Sequence, residues 1–221
     1  MKKASYRGTV KRLLGDDALK DSSITSIDGD TVNFLVTNQK QANYLRHCNQ
    51  VKLVEDPVSV INQYTEHTTE LYGKVNLALA ADSHLLQTHG DYIASLRSSI
   101  LTQPLFDDGV LYRGVDLSQQ EIDKMEELND FFIPSFTSTS IDAKKAYEKS
   151  AIMVIKVPFA CKYAASITEK LSKYHSQEKE VLLACYSAFH LERIEKVGRT
   201  KVVSLFLDEH LTSFNSLVPF F

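Results

Sequence analysis

The sequence predicts an α+β protein, with helices gathered early in the chain and strands gathered late. Three observations carry that expectation. Residues 57–103 repeat apolar side chains at helical spacing, and residues 110–207 hold strand-length apolar or alternating stretches. Near the N-terminus, Asp28-Gly29-Asp30 separates two extended runs. Helices and strands do not alternate one by one, which sets the chain apart from βαβ folds. The 221 residues suffice for one domain, or for one domain with a modest annex.

The elements follow in order. Thr9–Leu14 reads as a strand, and Ile24–Ile27 with Thr31–Val36 reads as a hairpin about the Asp-Gly turn. Gln39–Cys48 has helical composition and Val51–Val54 is a short apolar run, so residues 1–56 form a small β-rich unit. Asp56-Pro57 then opens a helix, Asp as N-cap and Pro at the first helical position. Val58, Ile61 and Tyr64 continue it; Leu71, Val75 and Leu79 mark a second helix; Ile93, Leu96 and Ile100 mark a third, capped by Asp91. Stripes of this kind ordinarily pack a core. Ser118-Gln119-Gln120-Glu121 is a capping box ahead of Ile122, Met125 and Leu128. Around it lie expected strands at Val110–Val115, Phe132–Thr139, Ile152–Val157, Glu180–Ile194 and Lys201–Leu207, with a short helix from Asp142. Alternation in the 180–194 stretch slips by one at Ile194, which predicts a bulge near Glu192–Arg193.

Composition narrows the function classes. Hydrophobic residues make up 43 % and charged residues 24 %, which is globular usage. A net charge of −3 speaks against a general nucleic-acid binder. No apolar run reaches the ~18 residues of a membrane span. The start MKKASYRGTVKR lacks the apolar segment of a secretory signal. Cys48, Cys161 and Cys185 are odd in number and far apart, and the seven histidines include no HExxH; neither a disulfide framework nor a metal site is expected. No GxGxxG or P-loop occurs. A soluble protein of a reducing compartment is the expectation.

Three short stretches could carry chemistry. Leu111-Tyr112-Arg113-Gly114 sets an arginine inside an apolar strand, where a guanidinium needs an anion or a carboxylate as partner. Thr137-Ser138-Thr139-Ser140 offers four consecutive hydroxyls, as a donor array or as a strand end with a helix cap. Glu178 and Glu180, in Gln177-Glu178-Lys179-Glu180, share one face if the strand is regular, about 7 Å apart. Such a pair favours a cationic ligand, although a solvated charge run reads the same.

The order of the three stretches is more specific than any one of them. LYRG at 111–114, SFTSTS at 135–140 and QEKEVLL at 177–183 resemble the signature of the arginine-specific mono-ADP-ribosyltransferases of the R-S-E class. INQYT at 61–65 and ELYGKVNLALA at 70–80 are similar to the helical stretch that precedes it, so the resemblance covers about residues 57–207. It implies a catalytic domain at 57–221, with a helical lobe on two roughly perpendicular sheets that form a cleft for NAD as co-substrate, and no metal. It implies that Arg113 holds an NAD phosphate or ribose hydroxyl and that the Gly114 backbone meets the nicotinamide carboxamide. Ser138 would orient Glu180, with Thr139 and Ser140 supporting the cleft. Glu180 would bind the ribose 2′-hydroxyl and stabilise an oxocarbenium-like species. Glu178 would receive the guanidinium of a target protein's arginine, and Tyr174 would contact that target or else pack on the strand edge. Phe136 would be core or a nicotinamide wall. Nucleic acid and membrane are not implied as partners, and the expected setting is a cytoplasm, directly or as a delivered effector. An NAD glycohydrolase and a silent NAD- or partner-binding module are the other readings. The apolar tail Leu217–Phe221 is expected to pack on the core.

Overall fold

A computed structural model of the chain describes residues 2–7, 24–28, 31–36, 53–66, 69–81, 85–107, 109–146, 149–172 and 179–209. The expected strand Thr9–Leu14, the helical segment Gln39–Cys48, the first half of the 51–54 run and the C-terminal tail lie outside them. Described residues up to Ser99 form one compact unit and those from Ile100 form another.

The described residues of the first unit form three strands and three helices. β1 (Lys2–Arg7), β2 (Ile24–Asp28) and β3 (Thr31–Val36) make an antiparallel sheet in the order β1-β3-β2. Asp28 pairs with Thr31, so the Asp-Gly signal marks a hairpin as expected. β1, rich in lysine and polar residues, gave no sequence signal. Helix α1 (Pro57–Thr65) starts with the Asp56 side chain accepting from the Ser59 N–H at 2.9 Å. Helix α2 (Leu71–Ala81) buries Val75 and Leu79, and also Leu77 and Ala78; its apolar surface is wider than the expected stripe. Helix α3 (Leu85–Leu101) begins six residues before Asp91, which is therefore interior and not a cap. The Tyr64 hydroxyl accepts from the Asn76 side chain at 3.0 Å, and the Tyr92 hydroxyl donates to the Val60 carbonyl at 2.8 Å. Those two bonds tie α1 to α2 and α3 to α1, and burial pushes the Tyr92 hydroxyl pKa up.

Among the described residues of the second unit, eight strands form one mixed sheet, in the order β5-β10-β11-β7-β4-β6-β9-β8. Its strands are β4 (Gly109–Val115), β5 (Asp130–Ile133), β6 (Thr137–Ser140), β7 (Ala151–Val157), β8 (Ala164–Ser166), β9 (Glu180–Leu183), β10 (Ser187–Val197) and β11 (Thr200–Leu207). Helix α4 (Gln119–Leu128) carries the expected capping box, with Ser118 and Glu121 bonding each other's backbone N–H. The segment from Asp142 forms a 3₁₀ turn, Ala143–Ala146. Register between β10 and β11 shifts between Leu191 and Arg193, where the slipped alternation predicts a bulge.

Two expected strands are broken. Phe132–Thr139 divides at Pro134-Ser135-Phe136, and Glu180–Ile194 divides at Ala184-Cys185-Tyr186. The breaks face each other: the Tyr186 N–H donates to the Pro134 carbonyl at 3.3 Å, and Tyr186 has a left-handed φ of 59°. On one side β5 pairs with β10; on the other β6 pairs with β9. Both breaks are buried; Ala184-Cys185-Tyr186 is apolar throughout, so hydropathy leaves no mark there, whereas Pro134, which cannot donate to a ladder, is the local signal of the other break. Phe136 is 1 % exposed and belongs to the core.

β4 and β6 are joined at a single residue pair, Tyr112 with Ser140. The five-strand run ending at β4 and the three-strand run starting at β6 therefore part at that seam.

Candidate active site

The seam gathers Arg113, Ser138 and Glu180. Thr137 and Thr139 favour an extended β6, and alternation sends their side chains to one face and Ser138 and Ser140 to the other. Thr139 is buried and its hydroxyl donates to the Val181 carbonyl at 2.6 Å. Thr137 Oγ1 donates to the Ser135 carbonyl at 3.3 Å. Two of the four hydroxyls thus turn to one face and bond backbone there, and two turn to the other.

Register decides what those two meet. Ser140 pairs with Glu180 and Ser138 with Leu182, which puts Ser138 on the diagonal of Glu180 within side-chain reach. The Ser138 hydroxyl donates to Glu180 Oε1. Across the seam, Arg113 Nη1 donates to the Ser138 carbonyl oxygen at 2.7 Å. The arginine thereby fixes the backbone that carries the serine, and the serine fixes the carboxylate. Ser138 is exposed while Arg113 and Glu180 are half-buried, so the chain of contacts opens to solvent.

Gly114 has a local reason. A Cβ there would stand 2.4 Å from the Ala146 carbonyl oxygen and 3.0 Å from Lys149 Cγ. Only glycine lets the 3₁₀ segment lie against β4. Asp116 holds the same segment, accepting from Lys149 Nζ at 3.0 Å and from the Ser150 N–H at 3.2 Å. The Lys149 bond, then the Ser150 N–H, hold the Asp116 carboxyl below the usual carboxylate range. A depressed folded-state pKa gives stability that is present above the unfolded value of 3.8 and lost as pH falls through the folded value. Asp116→Asn should therefore flatten the acid end of a stability-against-pH curve below about pH 4, read by urea melts; an unaltered slope there would refute the linkage.

Lys179 precedes the strand and has a left-handed φ of 46°. Period-two alternation holds from Glu180 onward, and the left-handed Lys179 marks the point where the strand begins. Glu178, Tyr174 and Gln177 lie outside the described residues. Lys179 is itself tied to the turn after β6. Its carbonyl accepts from the Ile141 N–H at 3.3 Å and from Ser140 Oγ at 3.5 Å. Its ammonium lies 3.8 Å from Asp142 Oδ2. In the sequence Asp142 reads as a helix start alone; its partner is 37 residues away, and nothing local signals it.

Cys161 and Cys185 are fully buried. Burial, with the Glu209 carboxyl beside it, pushes the Cys161 thiol up to about 12, so it is a core residue and not a nucleophile. Among the described residues no group of three or more His, Cys, Asp or Glu could hold a metal ion, and no helix is long and apolar enough to cross a membrane.

The sequence profile of the ADP-ribosyltransferase exoenzyme family matches residues 38–213. The chain belongs to that family. Comparison with curated proteins finds no match. Among solved structures, it is similar to the Vis toxin, an ADP-ribosyltransferase from Vibrio splendidus, with a TM-score of 0.58 and 20 % identity over 78 % of this chain and 83 % of that one. The ADP-ribosyltransferase HopU1 of Pseudomonas syringae pv. Tomato DC3000 aligns with a TM-score of 0.58 and 18 % identity, over 79 % and 89 % of the two chains. C3stau2 from S. aureus, solved with NAD, aligns with a TM-score of 0.56 and 16 % identity, over 77 % and 94 %. Vis has also been solved with agmatine, and that structure aligns at 0.57 and 18 % over 85 % and 90 %. At these identities the likeness is one of fold: this exoenzyme-family chain has the mixed α+β architecture of the bacterial ADP-ribosyltransferases.

Proposed function

We propose that this chain transfers ADP-ribose from NAD to an arginine side chain of a target protein and releases nicotinamide. One observation carries the reading: Ser138 donates to Glu180 on a strand whose backbone Arg113 grips across the seam. A carboxylate held by a fixed donor keeps its negative charge aimed at one place, which stabilises positive charge developing there without reorganisation. In the proposed reaction Glu180 accepts a hydrogen bond from the nicotinamide-ribose 2′-hydroxyl, and its charge stabilises the oxocarbenium-like ribose as the bond to nicotinamide breaks. Nicotinamide leaves with the bonding pair. Arg113 holds an NAD phosphate or ribose hydroxyl through its planar fork, and the Gly114 backbone meets the carboxamide. Thr139 and Ser140 keep β6 in register beside them. Glu178 receives the guanidinium, a nitrogen of which attacks the ribose carbon, and takes up the proton released; Tyr174 contacts the target.

In this reading the five-strand and three-strand runs are the two walls of the NAD cleft, roughly perpendicular to each other. Their junction at one residue pair supports it. The catalytic domain spans residues 57–221, with residues 1–56 as an annex. Arginine as acceptor is supported by Glu178-Lys179-Glu180, since a carboxylate matches a guanidinium, and by the agmatine bound to Vis, itself a guanidine.

The test is mass spectrometry of agmatine incubated with NAD and the full chain. An ADP-ribosyl adduct is expected; free ADP-ribose alone would favour a glycohydrolase, and no nicotinamide release would remove both. Glu178→Ala should lose transfer to agmatine by about 10²-fold or more while nicotinamide release falls far less. Equal loss of the two rates would take the acceptor role from Glu178.

A further inference from the structure

We infer that the outer edge of β10 over Glu192–Lys196 pairs antiparallel with the same edge of a second copy of this chain, about a two-fold axis at Ile194. β10 is covered unequally. On one side β11 accompanies it as far as Val197, which pairs with Thr200. On the other, β5 reaches only from Ser187 to His190, and the Leu191 N–H then donates to the Asn129 carbonyl at 2.7 Å. Beyond that point, among the described residues, no strand lies against this edge. Glu192, Arg193, Glu195 and Lys196 are exposed and Ile194 is half-buried. An edge of this kind takes another strand unless its side chains prevent it.

The backbone presents the right groups. Gly198, with a left-handed φ of 61°, and Arg199 form the two-residue loop between β10 and β11. The pair that flanks such a loop is hydrogen-bonded, and successive residues turn their N–H and C=O to opposite edges. Val197, Glu195 and Arg193 therefore turn theirs to β11, while Lys196 and Ile194 turn theirs to the open edge. With the axis at Ile194, each isoleucine N–H donates to the other's carbonyl.

Side chains select that register. Glu192-Arg193-Ile194-Glu195-Lys196 reverses sign about its centre. In the pairing, Arg193 of each copy stands opposite Glu195 of the other, and Glu192 opposite Lys196; such opposite-charge pairs are favourable. A slip of one residue sets Arg193 against Lys196 or Glu192 against Glu195. A slip of two sets Arg193 or Glu195 against itself. Within one strand Arg193 Nη1 already lies 3.5 Å from Glu195 Oε1, with the side chains 66 % and 47 % exposed. Pairing joins two such couples into four charges of alternating sign with little desolvation. A foreign strand would have to match this pattern, whereas a second copy carries it by symmetry. The bulge between Leu191 and Arg193 ends the run, so each copy contributes five residues. Contact that short falls in the transient class, below about 1,200 Å².

Sedimentation velocity of the full chain at low salt, over a wide range of concentration, tests the inference. Wild type should show a reversible monomer–dimer equilibrium that added salt weakens. Arg193→Glu and Glu195→Arg should each raise the dimer Kd about tenfold or more, since both 193–195 pairs become like-charged. Mixed in equal amounts, the two variants should associate as wild type does, because every Glu again meets an Arg. The double variant Arg193→Glu/Glu195→Arg, which keeps self-complementarity with the signs exchanged, should also dimerise, and it decides the matter if either single variant fails to fold. A wild type that stays monomeric throughout overturns the inference and leaves the edge to a strand of another protein. A dimer that the single variants leave unchanged places the contact elsewhere and overturns it too, as does a mixture or a double variant that fails to associate.

Discussion

Glu180→Ala is expected to abolish both nicotinamide release and ADP-ribose transfer, by at least 10²-fold in kcat. Loss of one preorganised electrostatic group at a developing charge has that scale. Ser138 donates to this carboxylate, and Arg113 holds the Ser138 carbonyl at 2.7 Å, so the group removed is the end point of the whole chain of contacts. Glu180→Gln separates charge from shape. Its amide oxygen can still accept from Ser138, yet it lacks the negative charge, and it should lose most of the rate as well. Nicotinamide release measured by chromatography decides: if Glu180→Gln keeps more than about a tenth of the wild-type rate, electrostatic stabilisation by Glu180 is wrong. The half-buried position of Glu180 makes a folding defect in either variant small, which circular dichroism would check.

Gly114→Ala is expected to be the most damaging small substitution for stability. The added methyl would meet the Ala146 carbonyl oxygen at 2.4 Å, far inside contact distance, and the obstacle is backbone. Ala146 closes a 3₁₀ turn pinned at its start by Asp142 and followed by Ser150, whose N–H is bonded to Asp116. The segment can yield only by disturbing those bonds, and overpacking of this kind costs about 1–3 kcal/mol. A fall in Tm of roughly 2–12 °C follows for a chain of this size. An unchanged Tm would mean that the Ala146 carbonyl gives way at no cost. Activity should fall in the same variant, because β4 carries Arg113 one residue earlier.

Local sequence features read well where the physics was local. The Asp28–Thr31 hairpin, the Asp56 cap and the Ser118–Glu121 capping box depend on residues two to four apart, and each forms as written. The bulge between Leu191 and Arg193 showed as a slip in alternation, because one extra residue moves side chains to the other face. Asp91 failed as a cap because a residue with capping chemistry can also sit in a helix interior, where helix α3 holds it. The strand break at 184–186 is illegible, because buried apolar residues continue through it and only pairing with different partners on each side reveals it; the break at 134–136 carries a local mark in Pro134.

By itself the sequence determined the residue types and their order: an arginine in a strand, a hydroxyl run, and a carboxylate opening another strand, without the glycine loops of other nucleotide sites. Tertiary structure decided what those residues do to one another. The β6–β9 register put Ser138, and not Thr137 or Thr139, on the diagonal of Glu180; a slip of one residue would have turned the hydroxyl to the core. The parting of β4 from β6 left Arg113 to bridge the seam, and the Ala146 carbonyl gave Gly114 its reason. Periodicity fixes which face a side chain takes, but strand pairing fixes its neighbour, and those neighbours lie 25 and 42 residues away.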